Sequence, residues 1–148
     1  MSKKSFKILA TREGSDQGQK MEVLGPDGAP CGEYMIIRGV DASAYRNAQR
    51  LFRRAIIKFR EEKGSASIES EEYQLFIETE QKKMTSALVA SWSFSEDCTP
   101  ESVLQLFTEA PYVADQVDTF AGKRERFAGS WPKPSEPTQK EKSASVSH

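Results

Sequence analysis

Histidine is almost missing from this chain: the only one is His148, at the end of a polar segment. That placement weighs against Ser-His-Asp triads, Cys-His pairs and His-rich metal sites, which all need a positioned imidazole. Cysteine is scarce as well. Cys31 and Cys98 lie far apart and outside any CxxC pattern, so neither a disulfide framework nor a structural zinc site is expected. A reducing cytoplasm fits that usage. No apolar run approaches the roughly 18 residues of a membrane span. The basic start, Met1–Ala10, has no apolar core of the secretory kind, so no leader is read there. Glycine-rich phosphate motifs are absent too, since Gly25-Pro26-Asp27-Gly28 is turn chemistry.

An excess of positive charge is also lacking. Lysine and arginine number 21 against 22 acidic residues, a formal net of −1, whereas a dedicated nucleic-acid binder usually carries a basic surplus. Hydrophobic residues make up only 37% of the 148, so one modest core inside a polar shell is expected. Two chemical possibilities remain. Cys98 precedes a helix start, where a dipole could activate the thiol, but Glu96, Asp97 and Glu101 act against a thiolate. The adjacent acids Glu71-Glu72 and Glu96-Asp97 point in different directions on a helix and read as ordinary first-turn complements. No catalytic, cofactor or metal site is assigned, and the chain reads as a non-enzyme.

Its positive features are structural. The fold class expected is mainly α with a small N-terminal β-hairpin (α+β), with about four helices forming one small domain over 18–128. Residues 1–17 read as an arm or a short strand around Phe6-Lys7-Ile8-Leu9. The hairpin spans 19–38 about the Pro26-Asp27-Gly28 turn. A helix over about 42–63, capped by Asp41 or Ser43, carries the stripe Tyr45, Ala48, Phe52, Ala55, Ile56 and Phe59. A second is expected over 68–92, with Tyr73, Phe76, Ile77, Met84, Ala87 and Leu88 on its apolar side. Thr99-Pro100 opens a third over 100–110, and Pro111 starts a fourth over 111–127. Residues 129–148, rich in Pro, Lys, Ser and Glu, read as a disordered polar tail to which only Trp131 and Val146 bring sizeable apolar side chains.

Charge is segregated along the chain. Asp41 to Lys63 holds seven basic residues, among them Arg46, Arg50 and Arg53, against three acidic ones. Glu69 to Glu80 holds five glutamates and no basic residue, and Phe94 to Phe120 carries six carboxylates and no basic residue. Three readings stay open: neutralisation within the chain, steering of another subunit or an acidic partner, and nucleic acid on the arginine face. The aromatics at helix ends, Trp92, Phe94, Tyr112 and Phe120, are either partner anchors or local core plugs.

Two stretches resemble the tail assembly chaperones of long-tailed bacteriophages. Lys20–Pro30 through Ile37–Arg46 is similar to the start of that family. Ala90–Leu104 through Ala110–Phe120 resembles its closing half, where a tryptophan, a Thr-Pro helix start and an Ala-Pro junction precede a final helix. Together they cover most of residues 20–128. The resemblance implies a non-enzymatic, mostly helical protein of the host cell cytoplasm, with no membrane association. It would bind the tape measure protein, keep it soluble, help recruit the tail tube protein, and be absent from the mature virion. Many such families also make a longer, frameshifted form. On that reading Trp92, Phe94, Tyr112 and Phe120 are partner anchors, and Arg46, Arg50 and Arg53 a charged face for a partner or for self-association. The alternatives are a structural tail component retained in the virion and a small nucleic-acid-binding regulator.

Overall fold

The Pro-Asp-Gly turn closes a hairpin in the computed structural model, which describes residues 3–64, 68–129 and 131. Strand β1 (Gln19–Leu24) pairs antiparallel with β2 (Pro30–Ile37). Gly28 takes φ +80° and donates its N–H to the Gly25 carbonyl at 2.9 Å. The Asp27 carboxylate accepts from the Ala29 N–H at 3.0 Å, the local bond that suits Asp to turns. Along both strands alternate residues turn inward: Met21 and Val23 from β1, Met35 and Ile37 from β2.

A third strand corrects the sequence expectation. The helix expected over 68–92 is α3 (Glu71–Ser86), and Val89–Trp92 is β3, antiparallel to β2 with Met35 opposite Trp92. The hairpin is therefore part of a three-stranded sheet in the order β1-β2-β3. Ala87 and Leu88 continue a helical spacing from Met84, which hides the change of period. Pairing decides it, because β2 would otherwise leave a row of backbone groups without partners. Arg38 fixes the junction, donating from its guanidinium to the Ala87 carbonyl at 2.9 Å at the C-terminal end of α3.

Helix α2 (Ser43–Lys63) starts as expected, but neither Asp41 nor Ser43 caps it: Ala42 holds the cap position. The Asp16 carboxylate instead accepts the Ser43 N–H at 2.7 Å. Helix α4 (Pro100–Glu109) has a reciprocal capping box between Thr99 and Ser102, and α5 (Pro111–Ala121) begins at its proline. The helix expected to run to 127 stops at Ala121. A 3-10 turn over Arg124–Arg126 follows and delivers Phe127 back to the body, 2% exposed. The core joins the inner face of the sheet to Val103 and Phe107 of α4, Val113 and Val117 of α5, and Tyr45 of α2. A satellite cluster lies roughly 21 Å further along α2. There Phe59 meets Tyr73 and Phe76 of α3, with ring centroids 5.4 and 4.7 Å away.

The N-terminal segment forms no strand. A 3-10 turn at Phe6–Leu9 leads into a short helix, α1 (Arg12–Gln17), whose Ser15 is buried. The expectation for 129–148 falls outside the described residues except at Gly129 and Trp131. Trp131, 42% exposed, lines a cleft with Ile8, Leu9 and Ala128.

Asp41 ties these outer segments together. Its carboxylate accepts from Thr11 Oγ1 at 2.6 Å, Arg46 Nη2 at 2.7 Å and Arg124 Nε at 2.9 Å. Partial burial pushes its pKa up, but the bonds from Arg124, Thr11 and Arg46 outweigh that and hold it at about 2. A carboxylate whose folded pKa is depressed stabilises the fold above its unfolded value, near 4, and loses that contribution as pH falls towards 2. Asp41→Asn should therefore cost about 1–2 kcal/mol at pH 7, a figure reduced for the solvent screening of its exposed arginine partners. Urea unfolding should show the gap from wild type shrinking between about pH 4 and pH 2. A gap that persists unchanged over that range would contradict the assignment.

Candidate functional site

Two apolar clefts open beside the sheet, and they divide the four sequence-selected aromatics into two pairs. The larger, about 450 Å³, lies between β1 and α5 and is lined by Met21, Leu24, Tyr112, Phe120, Lys123 and Arg126. Its walls are locked by Gln116, whose side-chain amide accepts the Leu24 N–H at 3.0 Å and donates to the Leu24 carbonyl at 2.9 Å. One side chain thus satisfies both backbone groups at the sheet edge and pins α5 to β1. Tyr112 is 38% exposed and Leu24 36%, so their apolar surface faces solvent across the opening. Phe120 is less free. Its ring stands edge-on to Phe127, with centroids 6.3 Å apart, and the Arg126 guanidinium lies 4.2 Å from its centroid.

The smaller cleft, about 190 Å³, lies between the end of β3 and α4 and is lined by Trp92, Phe94 and Leu106 with Glu96 and Glu109 at its rim. Trp92 and Phe94 stand perpendicular, centroids 5.4 Å apart, and the indole N–H donates to the Glu96 carbonyl at 2.6 Å. Both rings are half-buried and pack on the main core. They plug the core locally and also present a face to the cleft. The sequence reading passed over Met21, Leu24 and Leu106. Leu24, the last strand residue before a Gly-Pro turn, carried the one usable signal, an apolar side chain at a sheet end.

The three arginines share one side of α2 but not one set of contacts. Arg46 is held by Asp41 and has a fold-binding role, so it is not a free partner group. Arg50 hydrogen-bonds Asn47 at 3.2 Å, and Arg53 makes no ion pair among the described residues. Neutralisation between α2 and α3 is slight: among the described residues Lys63–Glu72, at 3.2 Å, is the one ion pair that crosses between them. At Cys98 burial pushes the thiol pKa up and Arg38 only partly offsets it, the reverse of activation. Burial, followed by the nearby Asp118 charge, raises the Tyr45 pKa.

Among the described residues no group of three or more His, Cys, Asp or Glu is placed to hold a metal ion. No helix among them is long and apolar enough to cross a membrane. Comparison with protein-family models, with curated proteins and with solved structures gives no match.

Proposed function

We propose that this protein is a tail assembly chaperone of a long-tailed bacteriophage. It binds helical segments of the tape measure protein, keeps them soluble and helps recruit tail tube subunits, acting in the host cytoplasm and staying out of the finished particle. The observation that carries this reading is the pair of apolar clefts at helix ends, each rimmed by aromatics and charge. A long helix with apolar residues three and four apart exposes a stripe that aggregates in water. Clefts of this kind take such side chains one at a time, while the polar rim keeps the complex soluble. The resemblance of the two stretches within residues 20–128 to that chaperone family supplies the partner's identity.

The cleft residues Leu24 and Tyr112 are the informative ones to remove, because both are more than a third exposed and contribute little to the core. Each anchor buried on binding is worth about 1–3 kcal/mol. The double variant Leu24→Ala/Tyr112→Ala should fold normally and bind a tape measure fragment about 30-fold more weakly or worse, as read by calorimetry. Phe6→Ala, at an 83% exposed position outside the cleft, should bind as wild type. A double variant with unchanged affinity would remove the β1–α5 cleft from the interface. Mass spectrometry of purified particles tests the remaining distinction, since stoichiometric copies in virions would instead indicate a structural tail component.

A further inference from the structure

The most exposed large apolar side chains among the described residues are Phe6 and Leu9, both in the 3-10 turn that precedes α1. That turn buries no side chain, so packing of the core does not account for its apolar surface. Ile8 and Leu9 line a cleft of about 550 Å³ together with Ala128 and Trp131. Positive charge flanks it. Lys3, Lys4 and Lys7 are exposed and make no ion pair among the described residues, and the first carboxylate along the chain is Glu13. Arg124 lines the cleft itself. Its bond to Asp41 uses Nε alone, and its two terminal nitrogens make no hydrogen bond among the described residues. Against these cations the lining holds one carboxylate, Glu125.

We propose that this cleft binds an acidic amphipathic segment of a partner polypeptide, with apolar side chains on one side and carboxylates beside them. The apolar side chains enter between the turn and Trp131, a carboxylate takes the fork of Arg124, and the three lysines attract the remaining acids. Charge selects this occupant. The chain's own residues 132–148 carry three lysines against two glutamates, the same sign as the flank of the cleft, and are a poor match. Concavity selects a peptide over a lipid surface, since a planar bilayer reaches Phe6 and the lysines but leaves the cleft unfilled. Asp41 gains a second consequence here: holding Nε pre-orients the fork, so less freedom is lost when a carboxylate binds. The inference stands apart from tape measure binding, because Leu9, Arg124 and Trp131 line neither of the two clefts beside the sheet.

The test is fluorescence anisotropy with the full chain and a labelled synthetic peptide that has Leu and Phe at helical spacing and Glu and Asp between them. The control is the same peptide with Lys in place of every acid. The acidic peptide should bind at about 50 mM salt and at least about fivefold more weakly at about 500 mM, as the screening length falls from about 14 to 4 Å. The lysine peptide should bind at least about tenfold more weakly than the acidic one. Leu9→Ala/Trp131→Ala should lower affinity for the acidic peptide at least about tenfold, and Arg124→Gln at least about fivefold. Circular dichroism establishes that each variant folds. Should Arg124→Gln misfold, Lys3→Glu/Lys4→Glu, at two exposed positions, reads the same attraction. No binding of the acidic peptide, equal binding of the lysine peptide, or folded variants that bind as wild type would overturn the proposal. So would co-sedimentation with phosphatidylserine vesicles in the absence of peptide binding, which would assign this surface to a membrane.

Discussion

Phe107→Ala should destabilise the fold by about 3–5 kcal/mol, the range for deleting a fully buried phenyl ring from a core. Phe107 has no solvent exposure and sits on the inward face of α4, among the residues that join α4 and α5 to the sheet. Its surroundings cannot collapse easily to fill the space. Ile37, Met35 and Leu88 are each fully buried themselves, and the capping box and Pro111 fix the two ends of α4. Set against the 5–15 kcal/mol that holds a typical domain, the loss would leave a substantial unfolded fraction in mild urea. Phe107→Leu keeps most of the volume and should cost less than half as much. If urea titration gave a cost below about 1 kcal/mol for Phe107→Ala, α4 would not be packed on this sheet.

The second large effect concerns the place where the two ends of the described chain meet. Phe127 is 2% exposed and lies over glycines: a Cβ at Gly39 would stand 2.9 Å from two of its ring carbons and overlap Ser15 Oγ. A Cβ at Gly14 would overlap the Phe127 carbonyl oxygen. Phe127→Ala should cost about 3–4 kcal/mol and Gly39→Ala about 2–3 kcal/mol, the latter by overpacking. The pair is coupled through the ring. Removing the phenyl relieves part of the Gly39 overlap, so the double variant should cost at least about 1 kcal/mol less than the sum of the singles. Strict additivity in a double-mutant cycle would place Phe127 away from Gly39.

How legible the fold was depended on whether each determinant was local. The hairpin turn, the Thr99-Pro100 start and the Pro111 break were readable because Pro, Gly and Thr act within a few residues of themselves. The strand Val89–Trp92 was not readable. Met84, Ala87 and Leu88 keep a helical spacing up to its edge, and what turns the chain into a strand is the free side of β2, more than 50 residues earlier. The Asp41 network was equally hidden, since Thr11 and Arg124 lie 30 and 83 positions away. It also explains why Asp41, a good capping residue by type, does not cap α2. Position 127 looked like a helix end because the composition turns polar and Pro-rich just beyond it. In fact Gly122 closes α5, and the Phe127 ring goes to the glycines of a different segment.

For the site, aromatic residues at helix ends were the visible signal, and they line both clefts. The sequence could not show that Tyr112 faces solvent while Phe120 is held by Phe127 and Arg126, because exposure is set by packing partners distant in the chain. Arg46 shows the same limit. It sits in a row of arginines whose spacing makes all of them equivalent, and only the fold reveals that one is bound to Asp41 while Arg53 is not.

The most direct test of the proposed chaperone account is coexpression with a tape measure protein, scored by soluble yield and co-purification. The account predicts that the tape measure protein becomes soluble and elutes with this chain, and that Leu24→Ala/Tyr112→Ala reduces both readouts together. A tape measure protein that stays insoluble, with nothing co-eluting, would contradict it.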